Sequence, residues 1–172
     1  MRKLLITLCL LVLQACSNDD QPVNPVDALP LITQTGENTF ACLINGKPFF
    51  SSRDRRAFYT FADGAYTLGI SGSRTDDIGL RSINLVALDI VEGVSEGSFP
   101  LNARMSGGYS AEYFIDGGLT LETGTTDETP GNLTITRFDL EEFIVSGTFE
   151  FSVKDGEDNT LNFTDGRFDL KF

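Results

Sequence analysis

An all-β domain, an antiparallel β-sandwich of roughly nine to eleven strands, is predicted from three features of the sequence. From Thr39 onward, apolar residues recur at every second position, the period of a half-buried strand. Between these runs fall Asn45-Gly46, Asp63-Gly64 and Asp116-Gly117, pairs that tolerate positive φ and so turn a hairpin. Beyond residue 39 no stretch holds a 3.6-residue apolar period long enough for a helix. A closed, lipocalin-like β-barrel is the alternative arrangement of the same strands.

The strands follow in order. Phe40, Cys42 and Ile44 alternate up to Asn45-Gly46, and Lys47 to Phe50 returns. Ala57 to Phe61 and Tyr66 to Ile70 flank Asp63-Gly64 as a second hairpin. Ser82 to Ile90 carries Ile83, Leu85 and Ala87 on one face and Val86, Leu88 and Ile90 on the other, the mark of a central strand covered on both sides. Tyr109, Ala111, Tyr113 and Ile115 alternate next, and Asp116-Gly117-Gly118 leads into Leu119 to Thr123. A polar loop, 124–131, precedes Leu133 to Phe138. Phe143, Val145, Gly147, Phe149, Phe151 and Val153 form the cleanest alternation. Ile144, Ser146, Thr148, Glu150 and Ser152 oppose them, so one face is expected in the core and the other in water. Leu161 to Phe172 closes the set. Its apolar register shifts by one across Asp165-Gly166, which predicts a β-bulge there.

The N-terminal region reads differently. Arg2 and Lys3 precede an apolar run, Leu4 to Leu13, that stops at about half the roughly 20 residues a membrane-spanning helix needs. This is the pattern of a secretory signal. Leu13-Gln14-Ala15-Cys16 resembles a bacterial lipobox, which implies cleavage between Ala15 and Cys16 and lipidation of Cys16. The expected organisation is therefore a signal peptide over 1–15, a lipidated cysteine and disordered tether over 16–38, and the all-β domain over 39–172. The tether contains Pro22, Pro25 and Pro30 and little apolar content. Within it, Leu29 to Ile32 could dock as an edge strand only at the loss of the ladder bond that Pro30 cannot make.

Composition narrows the chemistry. The formal charge is −12, and becomes −14 when Arg2 and Lys3 leave with the signal. Such a surface repels nucleic acid, so no nucleic-acid partner is expected. The chain has no histidine, which removes Ser-His-acid and Cys-His nucleophiles and the usual zinc ligands. Of three cysteines, Cys9 belongs to the signal and Cys16 to the anchor, leaving Cys42 as a buried, inert thiol without a disulfide partner. Paired carboxylates remain as candidate acids, with Glu112 beside Tyr113 and the group Asp139, Glu141 and Glu142 as the nominees. No cofactor is expected apart from calcium, for which Asp155, Glu157 and Asp158 are the first candidates, then Asp76-Asp77 and Asp127-Glu128. Tyr109 and Tyr113, which share a strand face, are the candidate ligand-binding rings; otherwise they are half-buried strand tyrosines.

The lipobox, the polar tether and the opening Phe40-Ala41-Cys42-Leu43-Ile44-Asn45-Gly46-Lys47-Pro48-Phe49 carry a family resemblance. So do Leu133-Thr134-Ile135-Thr136-Arg137-Phe138-Asp139, Ser146-Gly147-Thr148-Phe149-Glu150-Phe151 and Thr164-Asp165-Gly166-Arg167-Phe168. The chain resembles an uncharacterised family of small cell-envelope lipoproteins from Bacteroidota. The resemblance implies an all-β domain on a lipid anchor and carries over no catalytic residue. In that phylum, acidic residues just behind the lipidated cysteine mark export to the outer surface, and Ser17-Asn18-Asp19-Asp20 is similar. The expected location is thus the outer membrane, exposed at the surface. The expected function is a non-catalytic module, held to the membrane by its lipid, that binds a glycan, protein or other envelope component. A barrel carrying a small apolar ligand and an acid-pair hydrolase are the alternatives.

Overall fold

Asn45 and Gly46 both take positive φ, 48° and 73°, and fold β1 (Thr39–Ile44) back onto β2 (Lys47–Phe50). Asp63 and Gly64 do the same, at 52° and 86°, between β3 (Arg53–Ala62) and β4 (Ala65–Asp76). The computed structural model describes residues 24–116 and 121–172. Its remaining strands are β5 (Gly79–Ile90), β6 (Gly97–Leu101), β7 (Gly108–Asp116), β8 (Leu121–Gly124), β9 (Gly131–Asp139), β10 (Ile144–Lys154) and β11 (Thr160–Lys171). No α-helix occurs among the described residues, and a single 3-10 turn, Pro25–Ala28, precedes β1.

The eleven strands form one continuous sheet in the order β2-β1-β11-β10-β9-β6-β7-β5-β4-β3, with β8 paired on β7. Every pairing is antiparallel except β6 with β7. The two ends of this path, β2 and β3, are consecutive in the chain, so the sheet must curl until its edges approach. Ser51, in the link between them, ties β1 to β4: its amide donates to Phe40 O and its hydroxyl donates to Ser73 O at 2.9 Å. The all-β expectation holds. The two facing layers of a sandwich are supplied here by one sheet curled into a half-barrel, a shape compatible with the barrel alternative.

The inside of the curl is filled with rings. Phe151 and Phe163 stack at 4.3 Å, Tyr113 meets Phe163 edge-on at 5.0 Å, and Phe40 packs on Phe149 at 5.3 Å. Cys42 is fully buried beside them, and that burial pushes its thiol pKa far up, as an inert thiol requires. At one mouth a row of rings runs Phe61, Tyr66, Tyr59, Phe138, Phe172 and Phe143, with neighbouring centroids 4.7 to 6.1 Å apart. The row runs from β3 and β4 to β9 and to the residues just before β10 and just after β11, strands that are not neighbours in the ladder, so side chains bridge them where no backbone pairing does.

Four local features depart from simple alternation. The bulge predicted at Asp165-Gly166 is present: Asp165 has φ 53° and the β10–β11 register slips between Phe149 and Phe151. A second bulge, at Asp89 with φ 53°, turns Ile90 into the core with Ile83 and Leu85, whereas strict alternation groups it with Val86 and Leu88. Phe143, expected in the core, lies in a turn at φ 56° and is 56% exposed. Strand β6 is absent from the alternation because it is five residues long and contains Gly97 and Pro100.

The largest departure concerns the tether and the face of β10 expected in water. Ile144 and Ser146 on that face are buried, because residues 33–37 lie across them. Asp169, 1% exposed, receives the amides of Thr35, Gly36 and Glu37 at 3.0, 2.8 and 3.0 Å and the hydroxyls of Thr33 and Ser146 at 2.6 Å each. Upstream, Arg167 donates to Pro30 O at 3.1 Å, and Leu29 packs on Ala41 and Leu43. The second half of the segment expected to be disordered is thus a strap held on the outer face. Pro30 does not oppose this docking, since Leu29 docks through its side chain rather than as a paired strand. Residues 16–23 lie outside the described residues.

Candidate functional site

The residues that sequence reasoning nominated are not brought together. Tyr109 and Tyr113 do share a face, but it is the inner one. Tyr109 stacks on Phe99 at 4.2 Å, and Tyr113 is 2% exposed. Burial pushes both phenol pKa values up; at Tyr113 the nearby Arg81 partly opposes it. Neither ring offers a platform to a ligand outside.

The nominated acids are held by cations and turn amides. Glu112 accepts from Arg104 at 2.6 Å. Asp139 receives the amides of Glu141 and Glu142, both at 2.9 Å, and the Arg137 guanidinium at 2.7 Å. The Glu142 amide bond is the chief cause holding the Asp139 carboxyl below its usual range, with the Arg137 bond next. A general acid at neutral pH needs the opposite shift. Asp155 closes its own hairpin, accepting from the amides of Glu157 and Asn159 at 2.9 and 2.8 Å, while Asp158 faces Lys154 at 3.7 Å. Asp76 bridges Arg74 and Arg81, and Asp127 accepts from the Ala103 amide at 3.3 Å. Among the described residues no three carboxylates or thiols converge as a metal site would need. Ala15 and Cys16 lie outside the described residues.

The outer face of β3, β4, β5 and β7 carries a different arrangement. Two adjacent rungs of the ladder cross these strands. In one, Arg56 pairs with Ser71, Ser71 with Asn84 and Asn84 with Glu112. In the other, Phe58 pairs with Gly69, Gly69 with Val86 and Val86 with Ser110. Residues two apart share a face, so the first rung sets four polar side chains in a row over roughly 15 Å of sheet. The second sets an apolar floor beside it.

Gly69 makes that floor possible. A Cβ there would stand 2.1 Å from Cε1 of Phe58, so only glycine lets the ring cross the strand. The ring remains 46% exposed. A groove of about 300 Å³ lies above, lined by Arg56, Phe58, Asn84, Arg104 and Glu112 among others. Arg104 reaches it from the loop between β6 and β7 and pairs with Glu112 at the end of the polar rung. Among the described residues the side chains of Arg56, Ser71 and Asn84 take no hydrogen-bond partner. Their donors and acceptors face solvent on a rigid four-strand platform.

The sequence profile of one protein family, described as a domain of unknown function (DUF6252), matches residues 39–169. The chain belongs to the DUF6252 family. No curated protein matches the chain, and no solved structure does. The match begins where β1 begins, so the strap of residues 24–38 precedes the matched segment of this DUF6252 chain, while its latch Asp169 is the last matched residue. All nine groove and rung residues named above fall inside the match.

The groove of this DUF6252 domain was missed because alternation was used to find the core, and Phe58 falls on the opposite parity from Ala57 and Tyr59. Two signals point to it in retrospect. Gly69 sits inside a strand, where glycine often marks close approach of another group. Arg53, Arg55 and Arg56 cluster on one edge of a strongly acidic chain.

Proposed function

We propose that this chain is a lipid-anchored, non-catalytic binding module of the bacterial cell envelope. Cys16 is its attachment point, and the Phe58 groove is the surface that engages an envelope component. The observation that carries the binding reading is the exposed Phe58 ring, fixed over Gly69 beside the side chains of Arg56, Ser71 and Asn84. A pocket near 300 Å³ with an aromatic floor and a few placed polar groups suits a small ligand or one end of a larger one. The arginine and amide partners of Glu112 and Asp139 support the non-catalytic part. The stacked rings inside the curl favour binding outside it over carriage of an apolar ligand within.

The anchor rests on Leu13-Gln14-Ala15-Cys16 behind its short apolar run, and a surface-exposed position in the outer membrane of a member of the Bacteroidota on Ser17-Asn18-Asp19-Asp20. Metabolic labelling with a fatty acid is expected to mark the protein and to be abolished by Cys16→Ser; labelling retained in that variant removes the anchor. Protease shaving of whole cells is expected to degrade the domain, and full protection would place it inside. For the groove, the immobilised full chain is expected to retain envelope material that the Phe58→Ala chain releases. Equal retention by both sinks the groove as the binding surface.

A further inference from the structure

Resting on that groove reading, we infer that the ligand of the Phe58 groove is a saccharide bearing a carboxylate, a uronic-acid unit or its like. The first argument is shape. A pyranose presents two chemically different surfaces: a face of C–H groups and a rim of hydroxyls. The two rungs present the complementary pair, a flat ring at Phe58 and a polar row beside it, about two residues or roughly 7 Å along the strands. A sugar laid on Phe58 brings its rim over Arg56, Ser71 and Asn84, whose guanidinium, hydroxyl and amide together donate to and accept from vicinal hydroxyls.

The second argument is charge. The chain has a formal charge of −12, yet the groove gathers Arg56 and Arg104 against the single acid Glu112. A site for a neutral sugar has no use for this local excess of cation. Oxidation of the exocyclic carbon of a hexose puts a carboxylate on the same rim as the hydroxyls, within reach of a guanidinium fork. Arg104 already spends one nitrogen on Glu112, which fixes its direction and leaves its other donors free. Long acidic polymers are disfavoured by the overall charge. A unit carrying one carboxylate is not, because the distant acids are screened beyond about 8 Å at physiological salt.

The test is calorimetric titration of the full chain with a panel of disaccharides carrying one uronate and with their carboxyl-reduced counterparts. The uronate forms are expected to bind roughly tenfold more tightly than the reduced forms. Arg56→Gln is expected to weaken both forms, the uronate by more, so that the roughly tenfold gap between them narrows; an unchanged gap would overturn the carboxylate contact at Arg56. Phe58→Ala is expected to abolish both. Gly69→Ala keeps the ring but displaces it, and is expected to reproduce the loss, with circular dichroism confirming that both variants fold. Equal affinity for the two forms overturns the carboxylate while the groove reading stands. No binding to any sugar, with retention of envelope material still lost in Phe58→Ala, overturns the saccharide alone. Phe58→Ala without effect in either assay overturns both.

Discussion

Asp169→Asn is expected to cost about 3 kcal/mol of stability and to free the strap. Five donors converge on this carboxylate, and it is buried. An amide of the same shape keeps one acceptor oxygen but turns an NH2 group toward donors, leaving at least one backbone amide unpaired in a buried site and weakening the bonds to the rest. Urea unfolding at pH 7 measures the loss, and limited proteolysis between residues 24 and 38 reports the strap. An unchanged midpoint with an uncut strap would refute the latch.

The same residue makes stability depend on acid. Burial by itself would raise the Asp169 pKa, but the Glu37 amide, the Ser146 and Thr33 hydroxyls and the Gly36 amide outweigh it and lower the value to about 2. The unfolded chain titrates near the ordinary aspartate value of about 3.9. A pKa depressed by folding stabilises the native state above the unfolded value. That contribution, about 2 kcal/mol, is lost as pH falls from about 4 through 2. The wild-type curve is expected to drop across this window by more than the Asp169→Asn curve. Parallel curves would assign the acid sensitivity elsewhere.

Gly147→Ala is the second large effect, expected to cost about 3 kcal/mol. A Cβ at Gly147 would lie 2.1 Å from Thr134 O and 2.7 Å from Cζ of Phe168. The ring could rotate, but the carbonyl belongs to β9, paired with β10 where its register slips between Ser146 and Gly147. Relief therefore means separating two strands in the middle of the sheet. Gly156→Ala is the matched control, since a Cβ there meets nothing within 4 Å, and it is expected to change stability by less than about 0.5 kcal/mol. Similar losses in the two variants would show that the effect is generic to glycine rather than due to the close approach.

Much of the fold was legible because period-two patterning and Asn-Gly or Asp-Gly turns encode local structure directly. The β1–β2 and β3–β4 hairpins and the bulge at Asp165-Gly166 follow from neighbouring residues alone. What stayed hidden depends on partners distant in sequence. Ile144 and Ser146 look like a wet face until a segment more than a hundred residues earlier covers them. Nor does any local pattern say that β2 and β3, adjacent in the chain, end up at opposite ends of the hydrogen-bonded path. The groove was illegible for a related reason. Its members come from four strands and a loop, and only the registers of β3, β4, β5 and β7 bring Phe58 over Gly69 and Arg56 into line with Asn84 and Glu112.

The strap also decides how the domain answers to force. Tension entering at residue 24 meets Leu29, packed against Ala41 and Leu43 of β1, and the bond from Arg167 to Pro30 O, then reaches the cluster on Asp169, before it can pull on Thr39 at the end of β1. Several bonds there are loaded together, so they must yield together instead of one after another. Without the strap, the pull would fall on Thr39 at the end of β1 and could open the β1–β11 ladder rung by rung. With it, tension is shared with β11 through Arg167 and Asp169, and β11 is a strand clasped by neighbours on both sides. A domain pulled from residue 24 is thereby arranged to be dragged without being unravelled.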